Sequence, residues 1–194
     1  MNEYRETNRG WIEVVCGPMF SGKSEELIRR LRRAQIARLG VLAFKPRIDN
    51  RYSEDSIASH SEQLIPCIQI EKVSEIMDHI RPDTEVVGID EVQFLGPEAL
   101  DVCRDLSARG IRVICAGLDM DYRARPWPPL PELLAIAEYI TKMAAICMVC
   151  GNPASRTQRK VLGGDLVLIG SQDSYEARCR RCHTVDEGVQ TEIF

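Results

Sequence analysis

Eight consecutive residues near the N-terminus have the composition and spacing of a phosphate-binding loop. The pattern G-x-x-x-x-G-K-[ST] is matched by Gly17, Pro18, Met19, Phe20, Ser21, Gly22, Lys23 and Ser24. Glycines let successive backbone N–H groups face a β-phosphate, and the dipole of a following helix adds positive charge there. We expect Lys23 to contact the β- and γ-phosphates and the Ser24 hydroxyl to bind Mg²⁺. The stretch therefore predicts a nucleoside triphosphate site.

Two adjacent acidic residues, Asp90 and Glu91, follow the apolar run VVGI at residues 86–89. Ligands of open α/β sheets bind at the carboxyl ends of the strands, so we expect both acids beside the phosphate loop. We assign Asp90 to Mg²⁺, held through water, and Glu91 to the general base that takes a proton from an acceptor hydroxyl. Spacing alone does not decide which acid has which role. An ATPase would use the same glutamate to orient water, so kinase and ATPase both remain open at this point.

Four of the eight cysteines form two C-x₂-C pairs, Cys147 with Cys150 and Cys179 with Cys182. Four thiolates predict a closed structural Zn²⁺ site, with His183 as a less favoured substitute for Cys182. A thioredoxin-like redox role is the alternative, but neither pair lies between a strand and a helix, where thiolate activation is expected. The pairing predicts that residues 151–178 form a loop tethered at both ends.

The elements that must position these residues alternate between strands and helices. Residues 11–16 predict a buried strand before the phosphate loop, and an amphipathic helix follows it and ends at Gly40. Further strands are predicted at residues 41–45, 85–90 and 111–118, with helices between them and another helix at residues 132–139.

This alternation predicts an α/β fold of the P-loop NTPase type, with a parallel sheet and helices on both faces. We place a domain boundary near residue 142. Residues 1–142 are expected to form the nucleotide-binding domain, and residues 143–194 a small zinc-binding domain.

Charge and hydropathy exclude several classes of function. The 194 residues carry 25 Lys and Arg against 29 Asp and Glu, which argues against a dedicated nucleic-acid binder, because such proteins need an excess of cations. The N-terminal MNEYRETNRGW lacks a secretory pattern, and no apolar run approaches the roughly 18 residues that cross a bilayer. We expect a cytoplasmic protein with no membrane or nucleic-acid partner.

At this point the sequence resembles the cytosolic-type (type II) thymidine kinase family along nearly its whole length. The stretches that carry the resemblance are GPMFSGKS (17–24), DNRYS (49–53), IDEVQF (89–94), AGLDMDYRARPW (116–127), the C-x₂-C at 147–150, NPASRTQR (152–159) and SYEARCRRCH (174–183). The resemblance implies a homotetrameric salvage enzyme that uses Mg-ATP and thymidine, makes dTMP and ADP for DNA synthesis, and is inhibited by dTTP. It also implies a zinc domain whose tethered loop closes as a lasso over the base.

The resemblance further implies roles for individual residues. Glu91 would take the proton of the 5′-hydroxyl, while Arg51 and Gln93 would belong to the ATP and Mg²⁺ site. The thymine pocket would be walled by Met19, Phe94, Leu118 and Tyr122, and the lasso would contribute Leu166, Val167, Leu168, Ile169, Gly170 and Tyr175. Without the resemblance, Met19, Phe94 and Leu118 would be interpreted as ordinary core residues.

Two positions depart from the family pattern. Tyr122 stands where Phe is common, and its hydroxyl needs a polar partner if it is buried. Ser171 stands where a second glycine is common, which would make the lasso backbone less free.

Two other classes of function remain as alternatives. One is a P-loop ATPase whose zinc-binding segment binds nucleic acid. Such a protein would need a basic surface, and the acidic composition weighs against this alternative. A purely structural zinc-binding interaction module would leave the phosphate-loop pattern unexplained.

Overall fold

A computed structural model describes residues 10–47, 56–58, 64–161 and 174–185. The predicted site residues Arg51 and 166–170 lie outside these ranges, as does Ser171. The helices are α1 (Lys23–Ile36), α2 (Glu75–His79), α3 (Ala99–Ala108) and α4 (Leu130–Ile136), with a 3-10 turn at Val92–Phe94. The strands are β1 (Trp11–Cys16), β2 (Gly40–Pro46), β3 (Ser56–Ala58), β4 (Leu64–Pro66), β5 (Ile68–Ile70), β6 (Thr84–Ile89), β7 (Arg112–Gly117), β8 (Tyr139–Lys142), β9 (Ala145–Ile146), β10 (Pro153–Ala154), β11 (Arg156–Arg159) and β12 (Tyr175–Arg178).

Six strands form one parallel sheet in the order β5-β2-β6-β7-β1-β8. The central strands β1, β6 and β7 end in continuous buried runs, as expected for a sheet that is covered on both faces. The register aligns Val14 with Cys115, and Phe44 with Ile89. The predicted parallel α/β architecture is therefore confirmed.

Helices cover both faces of the sheet, as the sequence predicts. Helix α1 packs Leu27, Ile28 and Leu31 on one face, against residues of β1, β2, β6 and β7. Helices α2, α3 and α4 cover the other face. A Cβ on Gly88 would lie 2.6 Å from Cδ1 of Leu31, so glycine is what allows α1 to approach β6 this closely.

The end of α1 differs from the prediction. The helix stops at Ile36, and Gly40 is the first residue of β2. The stop lies earlier because Arg38 takes a left-handed backbone conformation at φ 63° and the N–H of Leu39 bonds to the carbonyl of Ala34 at 3.1 Å. These are the features of a Schellman-type helix end, formed here without glycine.

The two edge strands of the sheet, β5 and β8, are not predicted from the sequence, and the helix predicted at residues 132–139 is longer than the one observed. Strand β5 is only three residues long, and β8 begins at Tyr139, the last residue of the helix predicted at residues 132–139. Helix α4 ends at Ile136 instead, and Ala137 is already extended, which allows the chain to return to the sheet beside β1.

The C-terminal part of the chain contains two short antiparallel pairs, β9 with β10 and β11 with β12. The prediction that all of residues 151–178 form a loop is therefore wrong for the stretches that form β10, β11 and β12. The pairing of Arg159 with Tyr175 brings the two ends of the intervening segment together. Strand β8 ends at Lys142, and the division of the chain near that residue remains a prediction.

No helix in the ranges that the structure describes combines the length and the apolar character needed to cross a membrane.

Candidate functional site

The predicted phosphate loop lies between β1 and α1, at the carboxyl edge of the sheet. Gly17 has φ 147°, and a Cβ there would lie 2.5 Å from the carbonyl oxygen of Met143, so the loop needs glycine at its entry. The Lys23 ammonium donates to the Pro18 carbonyl at 2.9 Å, and the Ser21 hydroxyl donates to the same oxygen at 2.8 Å. The side chain of Lys23 is thus buried and bonded to the backbone of its own loop.

The Ser24 hydroxyl contacts Asp90, one of the two predicted acids. Ser24 Oγ donates to Asp90 Oδ2 at 3.0 Å, and the N–H of Glu91 donates to Oδ1 at 3.0 Å. The N–H of Asp90 itself bonds to the carbonyl of Phe44 at 2.9 Å, so the acid continues the sheet just beyond β6. A hydroxyl and a carboxylate at this separation are oxygen ligands of the kind that Mg²⁺ takes, and the pair fits such an ion.

Glu91 begins the 3-10 turn in a left-handed backbone conformation, at φ 48°. This conformation costs on the order of 1–3 kcal/mol for a residue other than glycine, and such strain concentrates at functional sites. Glu91 Oε2 accepts a hydrogen bond from Gln93 Nε2 at 2.5 Å, while Gln93 Oε1 accepts one from the N–H of Leu118 at 3.0 Å. The predicted base is therefore linked through Gln93 to the residue after β7.

Lys45 is a residue of this region that the sequence analysis missed. It is only 2% exposed and follows Phe44, whose carbonyl accepts from the N–H of Asp90. Side chains alternate along a strand, so Lys45 lies on the same face as Ala43, which packs with residues of α1. A lysine at the carboxyl end of an apolar strand was the available signal.

The predicted thymine-pocket residues come from several elements. The rings of Phe94 and Trp127 meet edge to face, with centres 5.5 Å apart, and Leu118 is 8% exposed. The N–H of Met19 donates to Thr157 Oγ1 at 3.0 Å, which ties the phosphate loop to β11. Thr157 is buried and was not predicted individually, although it lies in the NPASRTQR stretch.

Tyr122 is half-buried, and two guanidinium groups lie close to its ring. The Arg123 and Arg159 guanidinium carbons lie 5.1 and 5.2 Å from the centre of its ring. The Tyr122 hydroxyl accepts from Arg123 Nε at 2.9 Å, which supplies the polar partner that a tyrosine needs here. Tyr175, the other aromatic residue predicted for the pocket, is buried in β12.

The four predicted metal ligands converge. The Sγ atoms of Cys147, Cys150, Cys179 and Cys182 all lie within 4.8 Å of one another. The Sγ atoms of Cys150 and Cys179 are 3.6 Å apart, close to the separation of about 3.8 Å between thiolates that share a tetrahedral Zn²⁺ at about 2.3 Å. The cluster is thus compatible with structural zinc.

Electrostatics within the cluster favours a thiolate at one position. The backbone N–H and the side-chain amide of Asn152 donate to Cys150 and lower the pKa of its thiol to about 6. Hydrogen bonds to the neighbouring sulfurs of Cys150 and Cys179 stabilise the protonated form of Cys182 and raise the pKa of its thiol to about 12. A cation bound among the sulfurs would take the place of such a shared proton, and this is the chemistry of a metal site.

His183 does not join the cluster of potential ligands, which among the described residues consists of the four cysteines alone. Its Nε2 lies 2.9 Å from the carbonyl oxygen of Tyr122. Of the other predicted site residues, the structure brings together Lys23 and Ser24 of the phosphate loop with Asp90, Glu91 and Gln93. The roles assigned to all of them remain predictions.

A strand, a phosphate loop and a helix, with a loop serine in contact with an acid at the end of a neighbouring strand, define the class of P-loop α/β nucleotide-binding proteins. The family model for thymidine kinase matches residues 10–183 of this chain. The chain therefore belongs to the thymidine kinase family and is a kinase.

Proposed function

We propose that this chain is an ATP-dependent thymidine kinase that transfers the γ-phosphoryl group of Mg-ATP to the 5′-hydroxyl of thymidine, forming dTMP and ADP. The observation that carries the reaction type is the 3.0 Å contact between Ser24 and Asp90 with Glu91 next to it. The thymidine substrate is supported by the family match over residues 10–183.

The loop of residues 17–24 is proposed to bind the phosphates of ATP. Its backbone N–H groups and the N-terminus of α1 would face the β-phosphate, as expected for the loop that precedes such a helix. The Lys23 ammonium now bonds to the Pro18 carbonyl, and a bound phosphate would compete with that carbonyl for it. Arg51 is proposed to approach the phosphates as well.

Mg²⁺ would be held by the Ser24 hydroxyl, with Asp90 acting through water. Bound there, the ion supplies positive charge to the β- and γ-phosphate oxygens during transfer. Lys45, buried on the same face, would add a further positive charge near the end of β2.

Glu91 is proposed as the general base for the 5′-hydroxyl. A positioned carboxylate contributes about 10²–10⁴-fold to such a step. The hydrogen bond from Gln93 holds one carboxylate oxygen in place, so we assign Gln93 to positioning Glu91 and not to direct contact with ATP. The second bond of Gln93, to the N–H of Leu118, ties the base to the proposed nucleoside pocket.

The thymine base would lie among Met19, Phe94, Leu118 and Tyr122, and be covered by residues 166–170 and Tyr175. Backbone groups of the covering segment could pair with the polar edge of a pyrimidine and reject bases with a different order of donors and acceptors. The thymine methyl in an apolar recess contributes only about 1–3 kcal/mol. Deoxyuridine should therefore be a poorer substrate but not an excluded one.

The cysteine cluster is proposed to hold a structural Zn²⁺ that stabilises a separate small domain at residues 143–194. Family membership also supports a homotetramer, feedback inhibition by dTTP, a role in deoxynucleoside salvage and a cytoplasmic location. The same membership favours no membrane or nucleic-acid partner.

The test is ADP release from Mg-ATP in the presence of thymidine, of other deoxynucleosides and of single-stranded DNA, each added alone. We expect release to depend on thymidine and to yield dTMP in equal amount. Release stimulated by single-stranded DNA, with thymidine inert, would replace the proposal with a nucleic-acid-dependent ATPase.

A further inference from the structure

His183 connects the cysteine cluster to the loop that carries Tyr122. Its Nε2 lies 2.9 Å from the Tyr122 carbonyl, and since a carbonyl can only accept, Nε2 carries the hydrogen. The backbone N–H groups of Cys182 and His183 both donate to the carbonyl of Cys179, at 3.1 and 3.0 Å. The imidazole therefore projects from a turn that two of the proposed zinc ligands define.

The loop that receives this hydrogen bond is internally braced. The buried carboxylate of Asp121 accepts from the N–H groups of Arg123 and Arg125, both at 2.9 Å, and the N–H of Asp121 donates to the carbonyl of Arg125 at 2.9 Å. Tyr122 is thus held on both sides within its own loop. A bond from His183 to its carbonyl would fix the position of the braced loop as a unit.

A second contact joins the same C-terminal segment to β11, the strand that carries Arg159. The N–H of Thr184 donates to Gln158 Oε1 at 2.9 Å. Gln158 precedes Arg159, whose guanidinium lies over the Tyr122 ring, and the Gln158 side chain also donates to the Arg159 carbonyl at 3.0 Å. Residues 183 and 184 therefore contact both the backbone of Tyr122 and the strand whose Arg159 side chain lies over the Tyr122 ring.

We propose that His183 is a positioning residue that couples the four-cysteine site to the thymine pocket by fixing the carbonyl of Tyr122. The inference rests on the proposed thymidine kinase function, in which Tyr122 walls that pocket. Glu91 and the phosphate loop belong to elements other than the loop that carries Tyr122. Loss of the His183 contact should consequently weaken nucleoside binding while ATP binding and the chemical step are retained.

Kinetics of two variants test the coupling. His183→Ala removes the donor, whereas His183→Gln keeps an N–H at a similar reach. We expect the KM for thymidine to rise about 3- to 10-fold in the alanine variant, the range for one lost hydrogen bond, with kcat and the KM for ATP within about twofold. The glutamine variant should recover most of the affinity, and Val185→Ala, an exposed neighbour, should match the wild type.

Amide hydrogen exchange of residues 119–127, together with zinc content, gives a readout that does not need turnover. Exchange should speed up in His183→Ala and in the chelator-treated wild type, but not in His183→Gln, while both variants retain zinc. Unchanged exchange and thymidine KM in His183→Ala, or loss of zinc from it, would overturn the coupling, as would failure of glutamine to rescue.

The exchange measurement also separates this inference from the proposed function. If the wild type phosphorylates no thymidine but shows the expected exchange pattern, the proposal that thymidine is the substrate is overturned. The coupling between His183 and the Tyr122 loop is then still supported. If His183→Ala fails to fold, His183→Glu replaces it in the comparison with His183→Gln, because an ionised glutamate can accept a hydrogen bond but cannot donate one to the Tyr122 carbonyl. The expected results and the results that would overturn the coupling are the same as for His183→Ala.

Discussion

Gln93 donates from Nε2 to Glu91 Oε2 at 2.5 Å while its Oε1 accepts from the N–H of Leu118 at 3.0 Å. The backbone N–H needs an acceptor, so the amide can adopt only one orientation, with its NH₂ group toward the carboxylate. Gln93 is 4% exposed and its contact with Leu118 is buried, so water does not compete for that contact. The position of the proposed base is therefore set by the end of β7.

Replacing Gln93 with leucine should release Glu91 from this position. We expect kcat to fall about 10- to 100-fold, since small misplacements of a catalytic group have effects of this size, while the KM for ATP stays within about twofold. Steady-state kinetics with thymidine and ATP varied in turn make the measurement. Gln35→Leu, the same substitution at an exposed position on α1, is the control. A raised KM for ATP at unchanged kcat would instead favour direct contact between Gln93 and ATP.

Cys147→Ser should remove zinc and destabilise the C-terminal residues before it affects chemistry. Zinc content should fall from about one ion per chain to near zero, because a structural site needs all four thiolates. Cys67→Ser, outside the cluster, should keep its zinc. Metal analysis and thermal unfolding of both variants make the comparison, and a Cys147→Ser protein with full zinc and stability would reject the four-thiolate site.

The same site should respond to pH. Asn152 lowers the pKa of the Cys150 thiol to about 6, so this ligand is a thiolate above that pH and is protonated below it. Protons compete with the metal for this ligand, but bound zinc keeps a thiolate deprotonated below the pKa of the free thiol, so we expect zinc to be released progressively only at a pH well below 6. Retention of full zinc at pH 4 would contradict this reasoning.

Glu13 should make a large contribution to stability through the arginines that surround it. Burial raises its pKa, but hydrogen bonds from Arg112 and Trp11 and the charges of Arg112 and Arg30 outweigh that effect and leave the pKa lowered. Glu13→Gln leaves two arginines facing a neutral group, and we expect the free energy of unfolding to fall by about 2–4 kcal/mol at pH 7.

The pH dependence of that loss follows from the lowered pKa. The contribution of Glu13 is fully present above the unfolded value of about 4.3 and disappears as the pH falls through the lower folded value. Urea unfolding at pH 7 and pH 3 should show the two proteins converging at the lower pH. Glu71→Gln, which removes an ion pair exposed at both ends, should change stability by less than about 1 kcal/mol. A variant of Glu13 as stable as the wild type would reject the network's contribution.

Local patterns were sufficient to predict the parts of the molecule that depend on neighbouring residues. The strand, loop and helix around Lys23 and the two C-x₂-C pairs each occupy a short stretch of chain with characteristic residues. Strand β8 could not be predicted in this way, because its exposed residues show no alternation and its place is set by pairing with β1. The helix stop at Arg38 depends on a conformation that arginine seldom adopts.

The links between elements were beyond local reasoning as well. Gln93 contacts Leu118 across 25 residues of sequence, and His183 contacts Tyr122 across 61. Both contacts use side chains whose types are compatible with many other partners, so only the tertiary arrangement selects them. The residues that tune the proposed site were consequently less visible than those that define it.

The most direct test of the account is transfer of labelled γ-phosphate from ATP to thymidine by Glu91→Gln, measured beside its affinity for Mg-ATP. The geometry predicts a kcat lowered by about 10²–10⁴-fold, with the affinity for ATP within about twofold of the wild type. Phosphoryl transfer at the wild-type rate, or equal loss of ATP binding and turnover, would contradict the assignment of Glu91 as the base for the 5′-hydroxyl.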